Sequence, residues 1–191
     1  KRVAVVGGGP AGMAAAYFLG RAGVDVTLFE AADRLGGVVR RLIPSFRISD
    51  GAIDKDEAIV RAMGVKVRLS APVSSARELE DMGFTHIIFA TGAQKHGDPR
   101  LEYGDYVNFT QVLAAIKAGG APDLGRDVAV IGGGNSAMDT ARAVRRLPGV
   151  ERVRLVYRRT RQYMPAEEEE LELALAEGVE FLELLAPVGV K

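Results

Sequence analysis

The sequence predicts an α/β protein with two parallel-sheet domains, and three observations carry that expectation. Residues 3–16 read VAVVGGGPAGMAAA and residues 128–141 read VAVIGGGNSAMDTA: one phrase, written twice 125 residues apart, with eight of fourteen positions identical. Each copy is a short valine-rich run that meets glycines and passes into helix formers, the pattern of a buried strand, a tight turn and a helix. Each is followed by a second apolar run, at 24–29 and 153–157, which completes a strand–helix–strand unit.

The totals set outer limits. The 191 residues suffice for one ordinary domain or two small ones. Hydrophobic residues make up 48% and charged residues 26%, enough for a packed core and against disorder. Lys plus Arg equals Asp plus Glu at 25 each, a balance that argues against a nucleic-acid partner. With no cysteine, the chain contains no disulfide, thiolate metal site or redox-active CxxC. No apolar run approaches a membrane span and no leader is visible, so a cytoplasmic protein is expected. The chain begins at Lys1 and reads as a piece of something longer.

In the first copy, residues 3–6 form the strand, and Gly7, Gly9 and Gly12 fit G-x-G-x-x-G. Gly7 permits the tight turn, Gly9 lets backbone approach a pyrophosphate, and Gly12 lets the helix pack close to the sheet. A helix is expected over 11–22, stopped by Gly23, with its N–H groups and partial positive charge facing a phosphate. The second strand ends at Glu30, 23 residues after Gly7, where a carboxylate meets the ribose hydroxyls of an adenine dinucleotide. A solvated acid at a strand end is the plainer alternative; the ordered context favours the ribose.

Between the copies, Gly36 and Gly37 invite backbone to approach a ligand, as a plain turn also would. Residues 43–47, IPSFR, are an extended segment with a basic tip. A helix at 54–63 closed by Gly64, a strand at 65–69, a polar helix at 75–82 closed by Gly83 and a strand at 85–90 ending in Thr91-Gly92 complete a first parallel sheet. Residues 93–107 are polar and turn-rich, and a helix at 110–118 precedes GGAPDLG. The expected division is therefore a first domain over 1–107, a linker with a short helix over 108–125, and a second domain over 126–191.

The second copy opens with a strand at 127–131. Gly132, Gly133 and Gly134 form the turn, Ala137 replaces the third glycine, and a helix at 135–147 stops at Pro148-Gly149. Here the strand ends in Arg158-Arg159 where the first copy has Glu30. A carboxylate accepts from a 2′-hydroxyl and repels a 2′-phosphate, whereas guanidinium groups bind that phosphate through charge-assisted bonds. A solvated basic face is the bland alternative; Arg152 and Arg154, alternating with apolar residues, fit it better than Arg158 and Arg159 do. Pro165 is expected to open a helix whose positive end Glu167 to Glu170 stabilise as a solvated first turn, not as an acid–base cluster. Gly178 ends it before a strand at 179–184. His86 and His96 have no metal spacing and receive no role.

At this point the resemblance is specific. GGGPAGMAAA, FEAADRLGGVVR, IPSFR, FATG, IGGGNSAMDTA and VYRR…MPAEEEE occur in order with matching gaps over essentially the whole chain. They resemble the FAD- and NADPH-binding module of the glutamate synthase small-subunit family. Its relatives include the flavin portion of dihydropyrimidine dehydrogenase and the flavoprotein subunit ascribed to selenate reductase, to which RLIPSFRIS and LPGVERVRLVYRR are most similar. The resemblance implies two Rossmann-like dinucleotide-binding domains, with NADPH reducing FAD and electrons leaving through an iron–sulfur domain or subunit to a small-molecule or protein acceptor. It implies FAD contacts at Gly7, Gly9, Pro10, Ala11, Gly12, Met13, Glu30, Arg34, Gly36, Gly37, Val38, Arg47, Val73, Thr91 and Gly92. For NADPH the matching positions are Gly132, Gly133, Gly134, Asn135, Ser136, Ala137, Arg158 and Arg159. The family module continues beyond Lys191 and returns a Gly-Asp pair to the flavin, so an incomplete pocket is expected. The family's cluster cysteines are absent here. A non-catalytic dinucleotide-binding or assembly module is the competing function; a simple NAD dehydrogenase would need a catalytic acid or base, and no candidate is found.

Overall fold

A computed structural model of the chain describes residues 1–93 and 101–190. The chain divides into two compact units, Lys1–His96 and Gly97–Lys191. The first runs β1 (Arg2–Val6), α1 (Pro10–Arg21), β2 (Asp25–Phe29), α2 (Gly37–Arg41), α3 (Asp50–Ala62), β3 (Lys66–Arg68), α4 (Ala76–Asp81) and β4 (His86–Phe89). Its four strands are all parallel in the order β3-β2-β1-β4, with Val3 opposite both Val26 and His86. The α/β class with parallel sheets is as expected from the repeated phrase.

Strand side chains alternate between faces, and this sheet is covered on both. Val5, Val26 and Leu28 pack with Met13 and Ala16 of α1 and Val60 of α3. Ala4, Val6 and Phe29 pack with Leu79 of α4 and Phe84. That is why the apolar run of β1 is unbroken: Val5 meets one core, and Ala4 and Val6 meet the other.

The second unit runs α5 (Phe109–Lys117), β5 (Asp127–Ile131), α6 (Asn135–Arg145), β6 (Arg152–Tyr157), α7 (Glu168–Ala176) and β7 (Val179–Glu183). Its three parallel strands lie in the order β5-β6-β7. One core unites Val130, Val153, Leu155 and Val179 with Val112 of α5, Met138 and Val144 of α6, and Leu171 of α7. The other face carries ion pairs across the strands, Asp127 with Arg152 and Arg154 with Glu180, so Arg152 and Arg154 are structural, as their alternation implied. β5, the counterpart of β1, lies at the edge, and Ile131 is exposed where the equivalent Val6 is buried.

Element boundaries differ from expectation where a side chain caps the backbone. α3 opens at Asp50 instead of 54 because the Ser49 hydroxyl accepts from the Ala52 N–H at 3.3 Å. The helix expected to open at Pro165 begins at Glu168. Pro165 lies in a strap that follows a single 3-10 turn, Arg161–Tyr163. The strap's backbone is committed to the glycine turn: Ala166 N–H donates to the Gly133 carbonyl at 3.0 Å and Glu167 N–H to Asn135 Oδ1 at 3.1 Å. Glu168, Glu169 and Glu170 do occupy the first turn of α7. His86 lies on β4, beside Thr85 Oγ1 at 3.0 Å, and His96 is outside the described residues.

Candidate functional site

Two glycine cradles stand at the carboxyl ends of β1 and β5, where parallel sheets place ligands. In the first, Gly7 leaves β1 with φ +105° and donates to the Phe29 carbonyl at 2.8 Å. A Cβ on Gly7 would lie 2.4 Å from the Ala90 carbonyl oxygen, and one on Gly12 would lie 1.8 Å from the Gly7 carbonyl oxygen. Only hydrogen fits at either place. Gly9 is the N-cap of α1 and Pro10 its first residue, which leaves the early N–H groups, those of Ala11 and Gly12 among them, without intrahelical partners. Met13 is buried one turn further in, its N–H on the Gly9 carbonyl.

Glu30 is built into this cradle. Its Oε2 accepts from Gly8 N–H at 2.6 Å and its Oε1 from Ala32 N–H at 2.8 Å. A carboxylate has about four acceptor positions, so each oxygen retains capacity for a hydroxyl donor. The second glycine pair closes on the first: Gly36 N–H donates to the Gly8 carbonyl at 2.8 Å, and a Cβ on Gly37 would lie 2.9 Å from Gly9 Cα. Thr91 also adjoins Gly7, and Gly92 follows with φ +75°. Gly7, Gly9, Pro10, Gly12, Glu30, Gly36, Gly37 and Thr91 therefore lie close together around the glycine turn. Val38 is exposed on α2, and Arg47 is exposed on a turn where its N–H donates to the Pro44 carbonyl at 2.9 Å. Val73 packs on the Phe29–Phe84 cluster. Arg34 points to α3, its Nη2 3.0 Å from Asp54 Oδ1.

The second cradle repeats the turn with looser helix packing. Gly132 has φ +147° and donates to the Val156 carbonyl at 3.0 Å. Its missing Cβ would lie 3.3 Å from Ala137 Cβ, so a methyl is accommodated where Gly12 accommodates none. Gly133 is pressed against the Tyr157 ring, which a Cβ would meet at 2.5 Å. Gly134 caps α6, whose first residues are Asn135 and Ser136. Beyond β6, Arg158 and Arg159 are exposed, and among the described residues neither guanidinium has an ion-pair partner. In the same unit Arg126, Arg142, Arg146, Arg152, Arg154 and Arg161 are all paired with carboxylates.

Sequence reasoning missed the strap and its tether. Tyr157 O–H donates to the Tyr163 carbonyl at 2.6 Å, fastening the strap beside Gly133 and Asn135. It also missed Arg40, buried on α2 and bonded to Asp54 at 2.6 Å. The usable signal was Asp50 and Asp54, two acids one helical turn apart following an arginine in an apolar run. Among the carboxyls held ionised by partners, hydrogen bonding to Arg40 holds Asp54 below the usual carboxylate range, and Arg152 does the same for Asp127.

The cradles suit a dinucleotide on the structure's own terms, because Gly9 and Gly134 cap the two helices without a Cβ and leave the phosphate approach open. Comparison with known proteins agrees. The chain is 48% identical over 183 residues to YgfK of Escherichia coli (strain K12), covering 94% of this chain and 18% of that one. It is 31% identical over 204 residues to the glutamate synthase [NADPH] small chain of Azospirillum brasilense, covering 98% of this chain and 42% of that one. The chain thus spans less than half of either relative. Mycobacterium tuberculosis FprA in complex with NADPH shares the fold, with a TM-score of 0.74 at 22% identity over 93% of this chain and 48% of that one. The model of the pyridine nucleotide-disulphide oxidoreductases matches residues 1–183. Its members bind FAD and NAD(P)H, and the resemblance to glutamate synthase small chains holds. With paired glycine cradles on parallel sheets and a match along nearly its whole length, the chain belongs to the pyridine nucleotide-disulphide oxidoreductase family.

Proposed function

We propose that this chain is the FAD- and NADPH-binding electron-input module of a larger oxidoreductase. The carrying observation is the contrast between two strand ends. Glu30 offers acceptor oxygens at the first cradle, while Arg158 and Arg159 present uncompensated positive charge at the second. Acceptors favour the bare ribose of FAD; guanidinium groups favour the 2′-phosphate of NADPH.

In this reading Gly7, Gly9, Pro10, Ala11, Gly12 and Met13 hold the FAD pyrophosphate and Glu30 its ribose. Arg34, Gly36, Gly37 and Val38 line the path toward the flavin, Arg47 is a further FAD contact, Val73 meets the adenine end through its backbone, and Thr91 and Gly92 form the second FAD-side loop. Gly132, Gly133, Gly134, Asn135, Ser136 and Ala137 hold the NADPH pyrophosphate, and Arg158 and Arg159 its 2′-phosphate. When bound, the flavin supplies the ring that takes hydride from NADPH and releases electrons to an iron–sulfur domain or subunit, or to another small-molecule or protein acceptor. The protein's own contribution is binding, orientation and exclusion of water; no acid or base side chain is needed. The test is anaerobic addition of NADPH to the FAD-loaded protein, read at the flavin absorbance. Bleaching is expected, and bound FAD that stays oxidised refutes the reading.

A non-catalytic dinucleotide-binding or assembly module is favoured by one observation: Ile88 and Phe89 stand exposed on β4, at the edge of the first sheet. Calorimetric titration with both nucleotides separates the two readings, since tight binding without bleaching supports the module.

A further inference from the structure

We infer that Arg40 is a positioning residue for the flavin nucleotide: its guanidinium ties the turn before Gly36 and Gly37 to α3 and so sets the second glycine pair against the first. The inference rests on reading the first cradle as the FAD site.

Arg40 is 7% exposed, a rare degree of burial for an arginine and one that demands hydrogen bonds. Its Nε donates to the Leu35 carbonyl, and its Nη2 donates to Asp54 Oδ1 at 2.6 Å. Its Nη1 lies 3.9 Å from Asp50 Oδ2 and, among the described residues, makes no hydrogen bond. Asp50 and Asp54 stand one turn apart at the start of α3, so the guanidinium bridges that helix to the Leu35 carbonyl. Leu35 is itself fully buried, which pins the turn by side chain and by backbone.

What the turn carries is the cradle's far wall. Gly36, at φ +119°, donates to the Gly8 carbonyl, and Gly37 sits against Gly9 with no room for a Cβ. The connection therefore runs from Asp54 through Arg40 and the Leu35 carbonyl to Gly36, Gly8 and the phosphate turn. Its geometry depends on the planar fork: Nε faces one acceptor while Nη2 faces another, which a lysine ammonium on a flexible stem does not reproduce. The bridge fixes the gap between the two glycine backbones.

The test uses Arg40→Met and Arg40→Lys in the full chain, with Asp54→Asn as the variant that loosens the same bridge while keeping the arginine. Two readouts are taken on folded protein: hydrogen exchange of the Gly36 amide without nucleotide, and FAD affinity by fluorescence quenching. The expected result is that Gly36 exchanges about tenfold faster or more and that the FAD Kd rises by a similar factor in Arg40→Met, with Arg40→Lys failing to restore either. NADPH affinity, set in the other unit, should stay at its wild-type value. Exchange at the wild-type rate, or faster exchange with unchanged FAD affinity, overturns the inference. Failure of the wild-type protein to bind FAD is a different result: it removes the cofactor reading and the positioning role with it.

Discussion

Gly12 and Ala137 occupy the same place in two copies of one phrase and answer to different neighbours. A methyl at Gly12 overlaps the Gly7 carbonyl, whereas Ala137 carries its methyl 3.3 Å from the place a Cβ on Gly132 would take. Gly12→Ala should destabilise the first unit by about 1–3 kcal/mol, since helix and strand must separate to admit it. Ala137→Gly should cost only roughly 0.5–1 kcal/mol, the ordinary penalty of a glycine in a helix. Denaturant melts of both variants check the asymmetry. At the strand ends, Arg158→Glu combined with Arg159→Glu should weaken NADPH binding about a hundredfold or more and NADH binding far less, because only NADPH presents a phosphate to lose and a charge to repel. Titration calorimetry with both cofactors decides it; equal losses would mean that the pair does not read the 2′-phosphate. These residues were legible because their chemistry is local: glycines at fixed spacing, an acid or a base where a strand ends. Arg40 was not, because its burial depends on carboxylates 10 and 14 positions further on and on a turn that no periodicity reveals.

Among elements, the strands and the repeated helices followed from apolar runs and glycine stops, and β5 lies where the pattern placed it. What sequence could not disclose was covering. The same apolar phrase is central in one sheet and at the edge of the other, and only the presence of β4 beside β1 makes the difference. The start of α7 was hidden for a related reason: the strap's N–H groups are taken by Gly133 and Asn135, more than 30 residues earlier. The α6–α7 contact has a definite electrostatic character. Glu177 accepts from Arg142 Nη2 and Arg146 Nη2, each at 2.7 Å, and Arg142 is nearly buried. Partial burial pushes the Glu177 carboxyl up, but the two arginines outweigh it and its pKa falls below the ordinary 4.5. A carboxyl whose pKa is lower in the folded state contributes stability that is whole above its unfolded pKa and fades as pH drops through its folded one. Glu177→Gln should therefore destabilise the second unit by about 1–3 kcal/mol at pH 7, with the deficit shrinking as pH falls below about 4.5, because the wild type then loses the same charge. Urea melts at pH 7 and pH 4 give the comparison; a deficit that stays constant between them would remove Glu177 as the titrating group.

For the molecule as a whole, the surface shows where apolar cover is thin. Phe89 is 59% exposed beside Ile88 on β4, and Leu184, Leu185 and Val188 are exposed after β7. No helix among the described residues is long and apolar enough to cross a membrane. Phe89→Thr should reduce dye binding to exposed apolar surface and light scattering at high concentration while changing stability by no more than about 0.5 kcal/mol, since little area is withdrawn from water at that position. A marked loss of stability would show that Phe89 is held by the core. Strand pairing also has a consequence for synthesis. β1 meets β4 only when Val3 finds His86, 83 positions downstream, whereas β5, β6 and β7 follow one another directly in the sheet. Distant pairings close slowly and leave edges bare meanwhile. As the nascent polypeptide leaves the ribosome, the valine-rich flank of β1 must wait unpaired until the residues 83 positions further on have been translated, and a chaperone that shields emerging apolar segments would find its target there.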